Sequence, residues 1–125
     1  MRHAIEIRNS SFIDESLVSL LRKYKVALVV ADTAGKWPYR EDVTADFMYL
    51  RLHGDEEFYA NGYNEAALDR WTVRIRTWST GSEPKDALRI STQTMPKRSR
   101  DIYCYFYNDI KVKAPFDARR LFEKL

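Results

Sequence analysis

Residues 45–55 read ADFMYLRLHGD, and their alternation decides the fold. In a β-strand successive side chains point to opposite faces. Phe47, Tyr49, Arg51 and His53 therefore share one face, and Met48, Leu50 and Leu52 share the other. The second face is wholly apolar and suits packing against helices. The first ends in a guanidinium and an imidazole just before Gly54, which permits a sharp turn. Ligand sites in parallel α/β sheets lie beyond the C-terminal ends of the strands. This strand end is thus expected to be a binding position.

The same reading extends in both directions. Ala4 to Arg8 (AIEIR) predicts a strand with Ala4, Glu6 and Arg8 on one face, broken by Asn9-Ser10-Ser11. Asp14 can cap a helix over 15–24, in which Leu17, Val18, Leu20 and Leu21 have helical spacing. Val26 to Ala31 (VALVVA) is a continuous apolar run, as in a parallel strand covered on both faces, and it delivers Asp32 at its end. Thr33 to Thr44 is irregular, with Gly35 and Pro38 as breakers. After a loop over 54–64, Asn64 caps a helix over 65–80 with the stripe Ala67, Leu68, Trp71, Ile75 and Trp78, stopped by Gly81. Residues 82–100 are polar and irregular, and the run Lys97-Arg98-Ser99-Arg100 reads as a solvated loop. Ile102 to Tyr107 (IYCYFY) predicts an aromatic strand and 115–124 a final helix, with Asp117 near its start. Strands alternating with helices imply right-handed crossovers and a parallel sheet. Four such units make a small open sheet or half of an eight-stranded barrel.

Composition narrows the partners. The chain has 125 residues, 45% hydrophobic and 31% charged, with net charge +3. That balance describes an ordinary globular domain, too weakly basic to point to nucleic acid without a clustered patch. Cys104 is the one cysteine and reads as a buried free thiol in a reducing, cytoplasmic setting. The first residues, MRHAIEIRNS, do not read as a signal peptide, and no apolar run is long enough to span a membrane.

The segments HAIEIRNSSF (3–12), ALVVADTAGKWP (27–38), TADFMYLRLHGDEEFYANGY (44–63) and IYCYFYNDIKVKAPFDARRL (102–121) resemble, in that order, the C-terminal half of the DUF72 (YecE-like) family. That family is a TIM-barrel group of unassigned biochemical function. The resemblance implies half of a TIM-like barrel, four strands with flanking helices, over 1–125. It also implies that Glu6, Arg8, Asp32, Arg51, His53 and Asn108 match polar positions around the barrel mouth. The chain lacks the four β/α units that open the family's barrel. It carries Phe12 where many members have tryptophan, and DALRISTQTMPKRSR (86–100) departs from the usual approach to the last strand.

These residues suggest chemistry. Arg51 can grip a phosphate or carboxylate, and His53 can move a proton near neutral pH. Arg8, Asn108 and Trp37 join Arg51 as ligand-binding candidates, and His53, Asp32 and Glu6 are the candidate acid–base groups. Glu6 and Arg8 equally suit an ion-pair network filling the barrel. His53, Asp32 and Glu6 are acceptable metal ligands, but no short-spaced ligand motif such as HExxH accompanies them, so no metal site is assigned. The residues do not specify a cofactor. Trp37, Tyr39, Tyr59 and Tyr63 lie in the long loops, where rings stack on a ligand or roof the sheet. Tyr103, Tyr105 and Tyr107 suit a core or an interface. The leading expectation is a binder of a small anionic or phosphorylated ligand. The alternatives are a metal-dependent or acid–base hydrolase of phosphoester or glycosidic bonds, and a truncated, non-catalytic barrel fragment. Two open sheet edges also predict self-association.

Overall fold

Four parallel strands stand side by side in sequence order, β1 (Ala4–Ile5), β2 (Ala27–Asp32), β3 (Phe47–Leu52) and β4 (Asp101–Phe106). Three helices flank them: α1 (Glu15–Tyr24), α2 (Glu65–Ser79) and α3 (Ala114–Lys124). The computed structural model describes residues 2–33, 37–52, 63–106 and 114–125, the side chains of the last stretch from 118 onward. His53, Gly54, Tyr59, Tyr107 and Asn108 lie outside the described residues. Among the described residues no helix is long and apolar enough to cross a membrane.

The helices begin where the sequence supplies caps. The Asp14 carboxylate accepts from the Ser16 amide at 2.8 Å, and the Asn64 side-chain oxygen accepts from the Ala67 amide at 2.7 Å. Each satisfies an amide that the first helical turn leaves without a partner. A short 3₁₀ turn, Ser10–Phe12, follows β1, capped by Asn9. β1 is shorter than the expected AIEIR strand. Its pairing with β2 ends at Ile5, and the next residues put their side chains to other uses: Glu6 and Arg8 bond each other while Ile7 stays buried.

Alternation sorts the two faces of the sheet. Leu28, Val30, Met48, Leu50 and Leu52 pack outward against the helices, in clusters that include Leu21, Leu68, Trp71 and Trp78. Val29, Phe47, Tyr49, Arg51, Tyr103 and Tyr105 line the concave inner face. The outer face is the main core, and the inner face is an open trough. α3 is fastened to α2 by charge: Lys124 bonds Glu65 at 2.7 Å and Asp69 at 2.8 Å, and Arg120 also bonds Glu65.

The segment 82–100 is irregular, as the sequence suggests, but it is tied firmly to the fold. Glu41 and Asp42, both fully buried, capture it by its backbone. Glu41 accepts from the Leu88 amide at 3.1 Å, and Asp42 accepts from the Ile90 and Ser91 amides at 2.7 and 2.9 Å. Arg74 on α2 donates two hydrogen bonds to Glu41, at 2.6 and 2.5 Å, and one to Asp86 at 2.9 Å. Burial alone would lower the pKa of Arg74, but its bonds to Glu41 outweigh that and raise it. Gly81 (φ 100°) stops α2, and a Cβ there would lie 2.8 Å from the Arg98 amide nitrogen. Only glycine allows the segment so close. Arg100 is buried, and its guanidinium donates to the carbonyls of Trp78 and Ser82 at 3.2 and 3.3 Å. It serves as an internal brace, whereas Lys97 and Arg98 are exposed.

Two outcomes are expected. Removing one partner of a buried ion pair leaves the other charge uncompensated, so Arg74→Met should cost about 3–5 kcal/mol in urea unfolding. A loss below about 1 kcal/mol would refute the role given to this pair. Hydrogen bonds from Lys124 and Arg120 hold the Glu65 carboxyl down at about 2. A depressed carboxyl stabilises the fold above its unfolded pKa, and the benefit fades as pH falls toward the folded value. Glu65→Gln should therefore melt below wild type at pH 6, and the two melting curves should converge near pH 2.

Candidate functional site

The concave face is built in three tiers running up the strands. At the N-terminal end Arg2 reaches across the sheet from the start of β1. It donates to the Asp101 carboxylate at 2.8 Å and to the Tyr103 phenol at 3.0 Å. Its guanidinium lies 5.1 Å from the centre of the Phe47 ring. These contacts close the floor of the trough. The middle tier is apolar and aromatic: Ala4, Val29 and the stacked rings of Tyr49 and Tyr105, 5.2 Å apart.

The upper tier carries the charge. Arg51 Nη1 donates to both Glu6 oxygens, at 2.8 and 2.9 Å. Arg8 donates to Glu6 Oε2 through Nε at 3.1 Å and through Nη2 at 3.0 Å. Glu6 comes from the β1 side and Arg51 from β3, so the bond passes over β2. The residue of β2 in register with Arg51 is Ala31, whose methyl leaves room for the crossing. The guanidinium of Arg8, more than half exposed, also lies over the Trp37 ring at 5.2 Å. Two guanidiniums thus share one carboxylate, at the mouth of a trough of about 690 Å³.

Glu6, Arg8, Arg51 and Trp37 are therefore brought together. Asp32 is placed differently. It ends β2 with the parity of Leu28 and Val30, and its Oδ2 accepts a hydrogen bond from the Tyr63 hydroxyl at 3.0 Å. Tyr63 is itself buried, edge-on to Phe106. Asp32 thereby pins the chain entering α2 to the end of the sheet. Tyr39 packs edge-on to Trp71, so Tyr39 and Tyr63 act as packing rings while Trp37 remains beside the charged tier. His53 and Asn108 fall outside the described residues. Among the described residues no three His, Cys, Asp or Glu side chains group as a metal would need.

Sequence reading missed Arg2 because it precedes the first strand and its partners lie almost a hundred residues away. The one available signal was parity, since Arg2 falls on the same alternation as Ala4, Glu6 and Arg8. Cys104 points outward into the α3 side of β4, where burial pushes its thiol up to about 12.

Comparison with known proteins gives a consistent picture. A family model described as "Protein of unknown function DUF72" matches residues 1–125. The crystal structure of a DUF72 family protein from Thermotoga maritima superposes with a TM-score of 0.74 at 24% sequence identity. The match covers 98% of this chain and 45% of that one, so the chain spans less than half the length of that relative. Its four parallel strands and flanking helices form part of a barrel. Comparison with curated proteins gives no match.

A thiol raised so far contributes little thiolate at pH 8. Cys104 should therefore react with Ellman's reagent at least about a hundredfold more slowly in the native protein than in 8 M urea. Equal rates would show that the thiol is not shielded. By its match over 1–125, the chain belongs to the DUF72 family.

Proposed function

We propose that the trough binds a small anionic or phosphorylated ligand at the C-terminal ends of the strands. The observation that carries this reading is the sharing of Glu6 between Arg8 and Arg51. Among the described residues, two guanidiniums and one carboxylate meet in this tier, against a concave wall. Such walls concentrate the field on an approaching anion. Guanidinium groups also match phosphate and carboxylate geometry well. Trp37 and the exposed Tyr105 ring supply flat apolar surface beside the charge.

The hydrolase alternative leans on His53, outside the described residues, and on Asp32, whose carboxylate is engaged by Tyr63. A cytoplasmic location belongs to the same proposal and rests on the shielded free thiol.

Binding should appear as thermal stabilisation. With a Kd near 1 mM, 10 mM phosphate should add about 1.4 kcal/mol, which is about 5 °C for a chain of this size. Arg8→Ala removes the more exposed guanidinium and should abolish most of that shift. Glu6→Gln should enlarge it by removing a carboxylate bonded to both arginines. No shift in wild type at constant ionic strength, or an equal shift in Arg8→Ala, would overturn the proposal.

A further inference from the structure

We infer that Thr33 is a positioning residue for the anion site: its hydroxyl holds Trp37, and Trp37 fixes where the Arg8 guanidinium stands. This role rests on the anion-binding reading above and concerns how that site keeps its shape. Thr33 is the first residue after β2 and falls on the alternation of Val29 and Ala31. It is buried, at 6% exposure, although its side chain is polar. A buried hydroxyl needs a hydrogen-bond partner. Thr33 Oγ1 accepts a hydrogen bond from the Trp37 backbone amide at 2.9 Å. The bond spans four residues, so it ties the backbone at Trp37 to the end of β2.

Trp37 carries that backbone position over to Arg8. The Arg8 guanidinium carbon lies 5.2 Å from the centre of the Trp37 ring, and a guanidinium over an indole face is held there by the ring's quadrupole. Glu6 holds the same guanidinium in another way. Arg8 Nε and Nη2 both donate to one atom, Glu6 Oε2, at 3.1 and 3.0 Å. Two bonds that converge on a single oxygen let the guanidinium pivot about that oxygen. The indole face limits the pivot by setting the plane in which the guanidinium lies.

The chain of contacts therefore runs from Thr33 through Trp37 to Arg8, and through Glu6 to Arg51. An arginine already restricted to one orientation loses less freedom when an anion arrives, so affinity rises without a new contact. Thr33 touches no anion in this scheme. It acts by keeping Arg8 at a fixed distance and tilt from Arg51. Thr33→Val has nearly the shape of threonine but no acceptor for the Trp37 amide. Thr33→Ser keeps the acceptor and loses only a methyl group. The pair separates positioning from packing.

Calorimetric titration with inorganic phosphate at constant ionic strength tests this role. Thr33→Val should weaken phosphate about threefold or more, the scale of one lost hydrogen bond, and Thr33→Ser should bind it as wild type does. Trp71 and Trp78 are sheltered, at 2% and 0% exposure, so acrylamide quenching of tryptophan emission reads Trp37. Quenching should rise in Thr33→Val and return to the wild-type level in Thr33→Ser. Trp37→Leu should weaken phosphate to a similar degree, and adding Thr33→Val to it should change affinity by less than about 1.5-fold, because residues that act as one unit are not additive. Should Thr33→Val fail to fold, Thr33→Ala makes the same comparison with Thr33→Ser. Wild type that binds phosphate beside a Thr33→Val that binds it equally well would overturn the role of Thr33 and leave the anion site standing. So would an equal loss from Thr33→Val when Trp37 is already gone. Wild type that binds no phosphate would overturn the anion site itself, and this role with it.

Discussion

A curved parallel sheet that carries charge on its inner face has to neutralise that charge across the curve. Isolated ions in a walled trough lose much of their hydration, and the cost falls only when a counter-ion lies within hydrogen-bonding reach. Here the Glu6–Arg51 bond meets that demand by spanning from the β1 side to β3 over Ala31. A larger residue at position 31 would block the crossing and strand both charges. Arg8 shares Glu6 with Arg51, and it settles over Trp37. The placing of the residues after β1 and the small residue on β2 both follow from this one bond.

A second ion pair, on the other side of the sheet, does a different job. Glu41–Arg74 is buried where Glu6–Arg51 is open to the trough, and its role is to anchor an excursion. The segment 82–100 forms no helix or strand, so its backbone amides need partners. Glu41 and Asp42 provide them, and Arg74 in turn satisfies Glu41. Arg100 closes the far end by bonding carbonyls at the end of α2. Polar sequence here encodes internal scaffolding.

Local physics made most of the fold legible in the sequence. Asp14 and Asn64 are caps by residue type, and FMYLRL sorts its faces by parity alone, so α1, α2 and β3 could be read within a residue or so. The site was legible where parity applied, in Glu6, Arg8 and Arg51. It was obscure where placement depends on partners far along the chain. Arg74 is the instructive case. Its spacing from Trp71 and Trp78 puts it on the apolar stripe of α2, which is a visible sign of a buried arginine. Its partner Glu41 lies 33 residues back, in a stretch with no periodicity, so nothing local named the pair. Asp32 misled for a related reason. A carboxylate ending an apolar strand suggests a ligand site, but strand parity set it with Leu28 and Val30, toward Tyr63.

The two faces of the sheet therefore carry different duties. The outer face has Trp71 and Trp78 fully sheltered by the chain's own elements, so this part of the barrel holds a complete core of its own. Among the described residues the inner face has no such closure, yet it is not left as bare apolar surface. Arg2 covers the rings of Phe47 and Tyr103 from below, and Arg51 with Glu6 spans the trough above. Long cationic side chains shield aromatic surface with their stems while their heads stay hydrated. That arrangement lets the open face persist in water and still present ring surface and positive charge. The outer flanks of α1 and α3 are less covered: Leu20 and Phe122 are exposed, while the Lys23 ammonium lies 5.5 Å from the centre of the Tyr24 ring.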